Sequence, residues 1–150
     1  MMTTGCSMGA YHALNFFLQH PDVFTKVIAL SGVYDARFFV GDYSHRATCG
    51  HPNREMYLNR YGHGGIPVVV FASSGGSHNE YYDFGMIDAC ASFIEEGRVQ
   101  FFTLSSVDSE SWLATWKNAH DQAEMHRAYE RYVIEEAILL SSTRQVGLMA

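Results

Sequence analysis

Only three prolines and three cysteines occur among the 150 residues, and Lys and Arg never gather into a run. Each scarcity excludes something. Cys6, Cys49 and Cys90 are too few and too scattered for a disulfide framework, and an odd count leaves one unpaired, so reduced thiols are expected. Sixteen acidic against ten basic residues give a net charge of -6, which makes nucleic acid and anionic membrane surfaces poor partners. No apolar stretch approaches the roughly 20 residues of a membrane span, and the start has neither the basic nor the long apolar region of a signal peptide. The expected compartment is the cytoplasm. What the chain does have is apolar residues, 47% against 17% charged, the balance of one globular domain with a packed core.

The apolar residues fall into periodic segments. Ala10, Ala13, Leu14, Phe17 and Leu18 mark one face of a helix over Gly9 to Gln19, closed by Pro21. Lys26 to Ser31 predicts a short strand buried on both faces, ended by Gly32. Val33 to Gly65 mixes Gly, His, Asn and Pro with isolated aromatics and reads as a surface excursion, with a short helix over Arg54 to Arg60. Ile66 to Ala72 is a β-branched run leading into the tight loop Ser73 to Ser77, the most secure strand. Phe84, Ile87, Ala91 and Ile94 predict a helix over Glu80 to Glu96 with Gly97 as its stop. Arg98 to Ser105 predicts a further strand. Tyr129, Val133, Ala137 and Leu140 predict a last helix between Asp121 and Leu140, and residues 141–150 read as a loose tail. This alternation implies parallel strands with helices on both faces, and neither a repeat nor a second domain is evident.

Gly5-Cys6-Ser7-Met8-Gly9 fits the G-x-S-x-G pattern and opens directly into the first helix. A serine projecting from a sharp strand-to-helix turn needs glycine two residues to either side, because neighbouring backbone passes close by. Ser7 would then be open to a base. The Met8 N–H, at the helix N-terminus, would face an oxyanion developing on an attacked carbonyl. Cys6, beside the apex, would point away from the cleft as a small buried hydrophobe.

Around this motif, Thr4 to Ala13, His20-Pro-Asp-Val-Phe24 and Leu30-Ser-Gly-Val-Tyr-Asp35 resemble the putative-esterase family, which includes S-formylglutathione hydrolase-like and feruloyl-esterase-like members. The resemblance resumes over Gly75 to Glu80 and His126 to Leu140. It implies an α/β-hydrolase fold, with the chain as its C-terminal part, three or four parallel strands and helices on both faces. It also implies hydrolysis of carboxylic esters or thioesters by a Ser-His-acid triad in the order serine, acid, histidine. No cofactor is implied. Because the family places its acid after the strand ending at Ala72, the resemblance points to Glu80, with Asp83 in reserve; the plain alternative for Glu80 is helix capping. It favours His126 as the base, with His120 in reserve, and surface or cap roles are the ordinary alternative for both.

Other constellations carry less. His45, Cys49, His51 and His63 match no zinc spacing, and no metal is expected. Ser73 to Ser77 lacks the lysine of a phosphate-binding loop, so a turn explains its glycines. Trp112, Trp116, Tyr81, Tyr82, Phe101 and Phe102 read as core fillers ahead of acyl-pocket lining.

One element is expected and not found upstream. In an α/β-hydrolase a loop preceding the elbow supplies the second oxyanion N–H, and here only six residues precede Ser7. The sequence therefore implies a half-built oxyanion hole, and an elbow strand exposed at a sheet edge where homo-oligomers could form. The competing function is a non-catalytic binding or interaction module derived from a hydrolase.

Overall fold

The computed structural model describes residues 1–30 and 56–138. Strand β1 (Met2–Cys6) leads through Ser7 into helix α1 (Met8–Gln19), and β2 (Lys26–Leu30) follows. Then come β3 (Leu58–Tyr61) and β4 (Ile66–Phe71), three short helices α2 (Glu80–Asp83), α3 (Met86–Ala89) and α4 (Ala91–Glu95), strand β5 (Val99–Leu104) and helix α5 (Ala119–Tyr132). The five strands form one sheet in the order β2-β1-β4-β5-β3. Four run parallel; β3 alone is antiparallel, pairing Leu58 with Leu104 and Tyr61 with Phe101. The α/β architecture expected from the sequence is therefore present, with one strand more.

Apolar residues alternate across the sheet and separate its two cores. On one face Val69, Phe71 and Leu104 pack with Phe16 of α1 and with Tyr129 and Val133 at the end of the chain's last helix. On the other, Val68, Val70 and Phe101 pack with Ile87 of α3, with Tyr81 and Ile94 against them. The period-2 alternation of side chains along β4 requires this division. Asn118 starts α5 by accepting the Asp121 N–H at 3.0 Å. His20, which ends α1, is bonded to Glu130 of α5 at 2.9 Å and so ties the two helices together on their shared face.

Several expectations are corrected. Leu58–Tyr61 is a strand, where a helix over Arg54 to Arg60 was expected, because pairing with β5 supplies a hydrogen-bond ladder that local spacing does not reveal. The helix expected over Glu80 to Glu96 is broken into three, and Gly85, at φ 74, marks the first break. The last helix begins at Ala119 and widens into π geometry over Val133–Ala137. β1 is not an edge strand: β2 and β4 flank it. Among the described residues the edge strands are β2 and β3, and on β2, expected to be buried on both faces, Ile28 and Leu30 are exposed. Cys6 is exposed rather than buried, and both Cys6 and Cys90 are free thiols. Trp112 is buried as expected, whereas Trp116 and Tyr82 lie at the surface. His45, Cys49, His51, Leu140 and the 141–150 tail lie outside the described residues, among which no helix is long and apolar enough to cross a membrane and no set of three His, Cys, Asp or Glu could hold a metal.

Candidate active site

Ser7 is the only non-glycine among the described residues with a positive φ, 55° with ψ -122°. Such a backbone costs about 1–3 kcal/mol and persists only where the surroundings enforce it. Here they do. The Ser7 N–H donates to the Leu30 carbonyl at 2.9 Å, and the Ser7 carbonyl accepts the Ala10 N–H at 3.1 Å. A Cβ on Gly5 would run into the Gly9 carbonyl and would lie 2.9 Å from the Ala10 nitrogen. A Cβ on Gly9 would stand 2.6 Å from the Phe71 oxygen and 2.5 Å from the Ala72 oxygen. The glycines of the pentapeptide are thus required by close backbone, one inside the turn and one against β4. Ser7 is half-buried at the carboxyl end of the sheet, and the first N–H groups of α1, Met8 among them, have no partner within the helix.

The strand beside the elbow supplies a loop at the same level. β1 pairs with β4 in a register that ends with Gly5 opposite Phe71, so the Ser7 turn and the loop from Ser73 both leave the sheet at its carboxyl end. That loop is held at three points. The Ser73 N–H donates to both Glu80 carboxylate oxygens at 3.2 Å, the Gly75 N–H to Asp108 Oδ2 at 3.4 Å, and the Gly76 carbonyl accepts the Ser106 N–H at 3.0 Å. Ser74 is exposed, and its N–H has no hydrogen-bond partner among the described residues. Sequence reasoning looked for a second N–H only upstream of the elbow. The neighbouring strand here lies downstream in the chain.

The remaining candidates are placed apart. Glu80 opens α2 and is engaged on Ser73; Asp83 is exposed at the end of α2; His120 is exposed in the first turn of α5. His126 is buried, stacked on His12 at 5.2 Å between ring centroids and near Trp112 at 5.1 Å, with neither ring nitrogen hydrogen-bonded. Among the described residues no hydrogen bond links Ser7 to an imidazole or Glu80 to His126. Besides His20–Glu130, the described residues hold a fully buried imidazole–carboxylate pair, His12 Nε2 donating to Asp108 Oδ1 at 2.8 Å. Burial alone would raise the Asp108 pKa, but the hydrogen bond and charge of His12, with help from Ser106 and Gly75, bring it below the usual value. His12 did carry a sequence signal, a polar residue beside the apolar stripe of α1 that would need a buried partner. Nothing in the sequence pointed to a partner 96 residues away.

Burial, reinforced by the electrostatic effect of the neighbouring His12, lowers the His126 pKa from 6.5 to about 4, with Asp108 opposing. The sign of the stability effect follows. Above pH 6.5 the ring is neutral in the folded and unfolded chains alike, so it adds no pH dependence. As pH falls from 6.5 to about 4, the unfolded chain takes up a proton that the folded chain refuses. Stability is expected to drop by on the order of 3 kcal/mol over that window. Urea melts at pH 7 and pH 4.5 measure it, and His126→Phe should flatten the slope. An equally steep slope in the variant would count against a neutral buried imidazole.

Residues 1–59 match the family model described as Putative esterase. Over this part the chain is similar to that family. The match covers β1, the Ser7 elbow, α1 and β2 and ends within β3, before the Ser73–Gly76 loop. It associates the chain with hydrolysis of esters. No curated protein and no solved structure matches the chain.

Proposed function

We propose that this chain is a serine hydrolase of carboxylic esters or thioesters, with Ser7 as nucleophile. The observation that carries the reading is the strained Ser7 backbone on a strand-to-helix turn locked by two glycines, a geometry with a cost and no evident structural return. In this reading Ser7 Oγ attacks the substrate carbonyl carbon and gives its proton to an imidazole. The carbonyl oxygen becomes an oxyanion, received by the Met8 N–H from the elbow and the Ser74 N–H from the loop after β4. The proton then passes to the departing alcohol or thiol, and water releases the acyl group from Ser7. Glu80 serves by fixing the loop at Ser73 rather than by orienting the imidazole.

His126 is the base in this proposal, and its ring must come within hydrogen-bond reach of Ser7 Oγ once substrate binds, as catalytic hydrogen bonds often do. With a pKa of about 4 and no carboxylate partner it is a weak base. An unoriented imidazole of this kind costs about 10⁴ in kcat relative to a complete triad. The same lack of a carboxylate on His126 favours a second reading, a non-catalytic binding module built on a hydrolase elbow. Multiple turnovers of p-nitrophenyl esters and acyl thioesters at pH 7.5 separate the two. Sustained hydrolysis above the buffer rate supports the enzyme, and none supports the module.

Self-association forms part of the proposal and attaches to the edge of β2, where Ile28 and Leu30 are exposed. Ile28→Lys should lower the sedimenting mass. An unchanged mass would remove β2 from the contact.

A further inference from the structure

Asp108 lies in the loop between β5 and α5, is fully buried, and gathers donors from two separate parts of the molecule. Its Oδ1 takes the His12 Nε2–H at 2.8 Å, from the helix that Ser7 opens; its Oδ2 takes the Gly75 N–H at 3.4 Å, from the loop after β4. The carboxylate is itself fixed. The Asp108 N–H donates to Ser106 Oγ at 2.9 Å, its carbonyl accepts the Leu113 N–H at 2.8 Å, and the neighbouring Ser106 N–H holds the Gly76 carbonyl. A buried carboxylate is costly to a fold unless fully paired, and a purely stabilising role could be filled by apolar residues at no loss. What apolar residues could not do is span α1 and the loop with two directed bonds.

We infer that Asp108 is a positioning residue that holds the Ser73–Gly76 loop, and with it the Ser74 N–H, in fixed relation to the Ser7 elbow. The inference rests on the serine-hydrolase reading for its catalytic consequence; the clamp itself does not. Gly75 and Ser74 are adjacent, so a bond at the Gly75 N–H constrains the peptide plane next to the one that carries the oxyanion donor. Nothing else among the described residues restrains the exposed tip of this loop from the α1 side. Freed from Asp108, the tip would keep only its attachments at Ser73 and Gly76. A displacement near 1 Å at a reacting centre can cost on the order of 10²-fold in rate.

The test compares Asp108→Leu with Asp108→Asn. Leucine removes both bonds. Asparagine can keep both, accepting the Gly75 N–H at its amide oxygen and donating to His12 Nε2 once that ring takes its other tautomer. Two readouts are taken on folded protein: amide hydrogen exchange at Ser74 and Gly75, and kcat and KM for a p-nitrophenyl ester. Asp108→Leu should speed Gly75 exchange at least about tenfold. It should also lower kcat on the order of 10²-fold, with KM changed less than about threefold. Asp108→Asn should stay within about threefold of the parent in every readout. Where Asp108→Leu does not fold, the double variant His12→Leu/Asp108→Leu takes its place, because replacing both members of a buried pair by apolar groups is often neutral for stability. Unchanged exchange and kcat in a folded leucine variant would overturn the inference. So would an asparagine variant that loses as much kcat as leucine, since the charge and not the positioning would then matter. If the parent chain turns over no ester, the hydrolase reading has failed, and exchange at Gly75 still decides the clamp.

Discussion

Ser7→Ala should lower kcat for an activated ester by at least about a hundredfold while leaving KM within about threefold, a loss of roughly 2.7 kcal/mol or more of transition-state stabilisation. The proposed oxyanion donors belong to backbone and would survive the substitution, so a small residual rate above the buffer is expected, as in hydrolases stripped of their nucleophile. Ser7→Gly should be equally inactive yet more stable than the parent. Glycine occupies φ 55, ψ -122 without the strain that a Cβ imposes, which outweighs its greater freedom in the unfolded chain. A gain of about 1 kcal/mol is expected, raising Tm by a few degrees. A serine whose removal improves the fold and removes turnover is held in place for chemistry. Loss of stability in Ser7→Gly would show instead that the turn is unstrained.

Gly9→Ala should be among the most damaging single substitutions in the chain. Its Cβ would stand 2.6 Å from the Phe71 oxygen and 2.5 Å from the Ala72 oxygen, and neither carbonyl can yield without disturbing β4 or the loop beyond it. Overpacking of this kind against backbone is expected to cost about 3 kcal/mol and to lower Tm by on the order of 10 °C. Gly85→Ala is the contrasting case. Gly85 has a positive φ, 74°, which Gly9 does not, but nothing lies within 4 Å of its Cβ position, so alanine there incurs only backbone strain of about 1 kcal/mol. Equal melting temperatures for the two variants would mean that α1 does not seat on β4 as closely as described. Because Gly9 fixes the distance between the elbow and the loop carrying Ser74, its substitution should depress kcat as well.

How far these features were legible in the sequence depends on the range of the interactions behind them. The elbow was legible because every residue that makes it, from Gly5 to Gly9, is local. β4 and β5 were legible because buried strands need apolar, β-branched runs, and Val68 to Phe71 and Phe101 to Leu104 provide them. β3 was not, since Leu58–Tyr61 is only half-buried and takes its conformation from pairing with β5 across about forty residues of chain. The order of the strands was hidden for the same reason. A second oxyanion N–H was expected from a loop before Ser7; that the later strand β4 flanks the elbow's strand was not legible in the sequence. Side-chain partnerships were the least legible. Glu80 was a reasonable acid by its place after β4, but its carboxylate accepts the Ser73 N–H, and the imidazole that meets a fully buried carboxylate is His12 rather than His126.

The central claim is that the folded chain presents Ser7 as an activated nucleophile. Labelling with a fluorophosphonate, followed by mass spectrometry of the intact chain and its peptides, tests it most directly. The account expects one equivalent of label on the peptide carrying Ser7, none in Ser7→Ala, and none in urea-unfolded chain. A folded chain that takes up no label, or takes it up at a residue other than Ser7, would contradict the account.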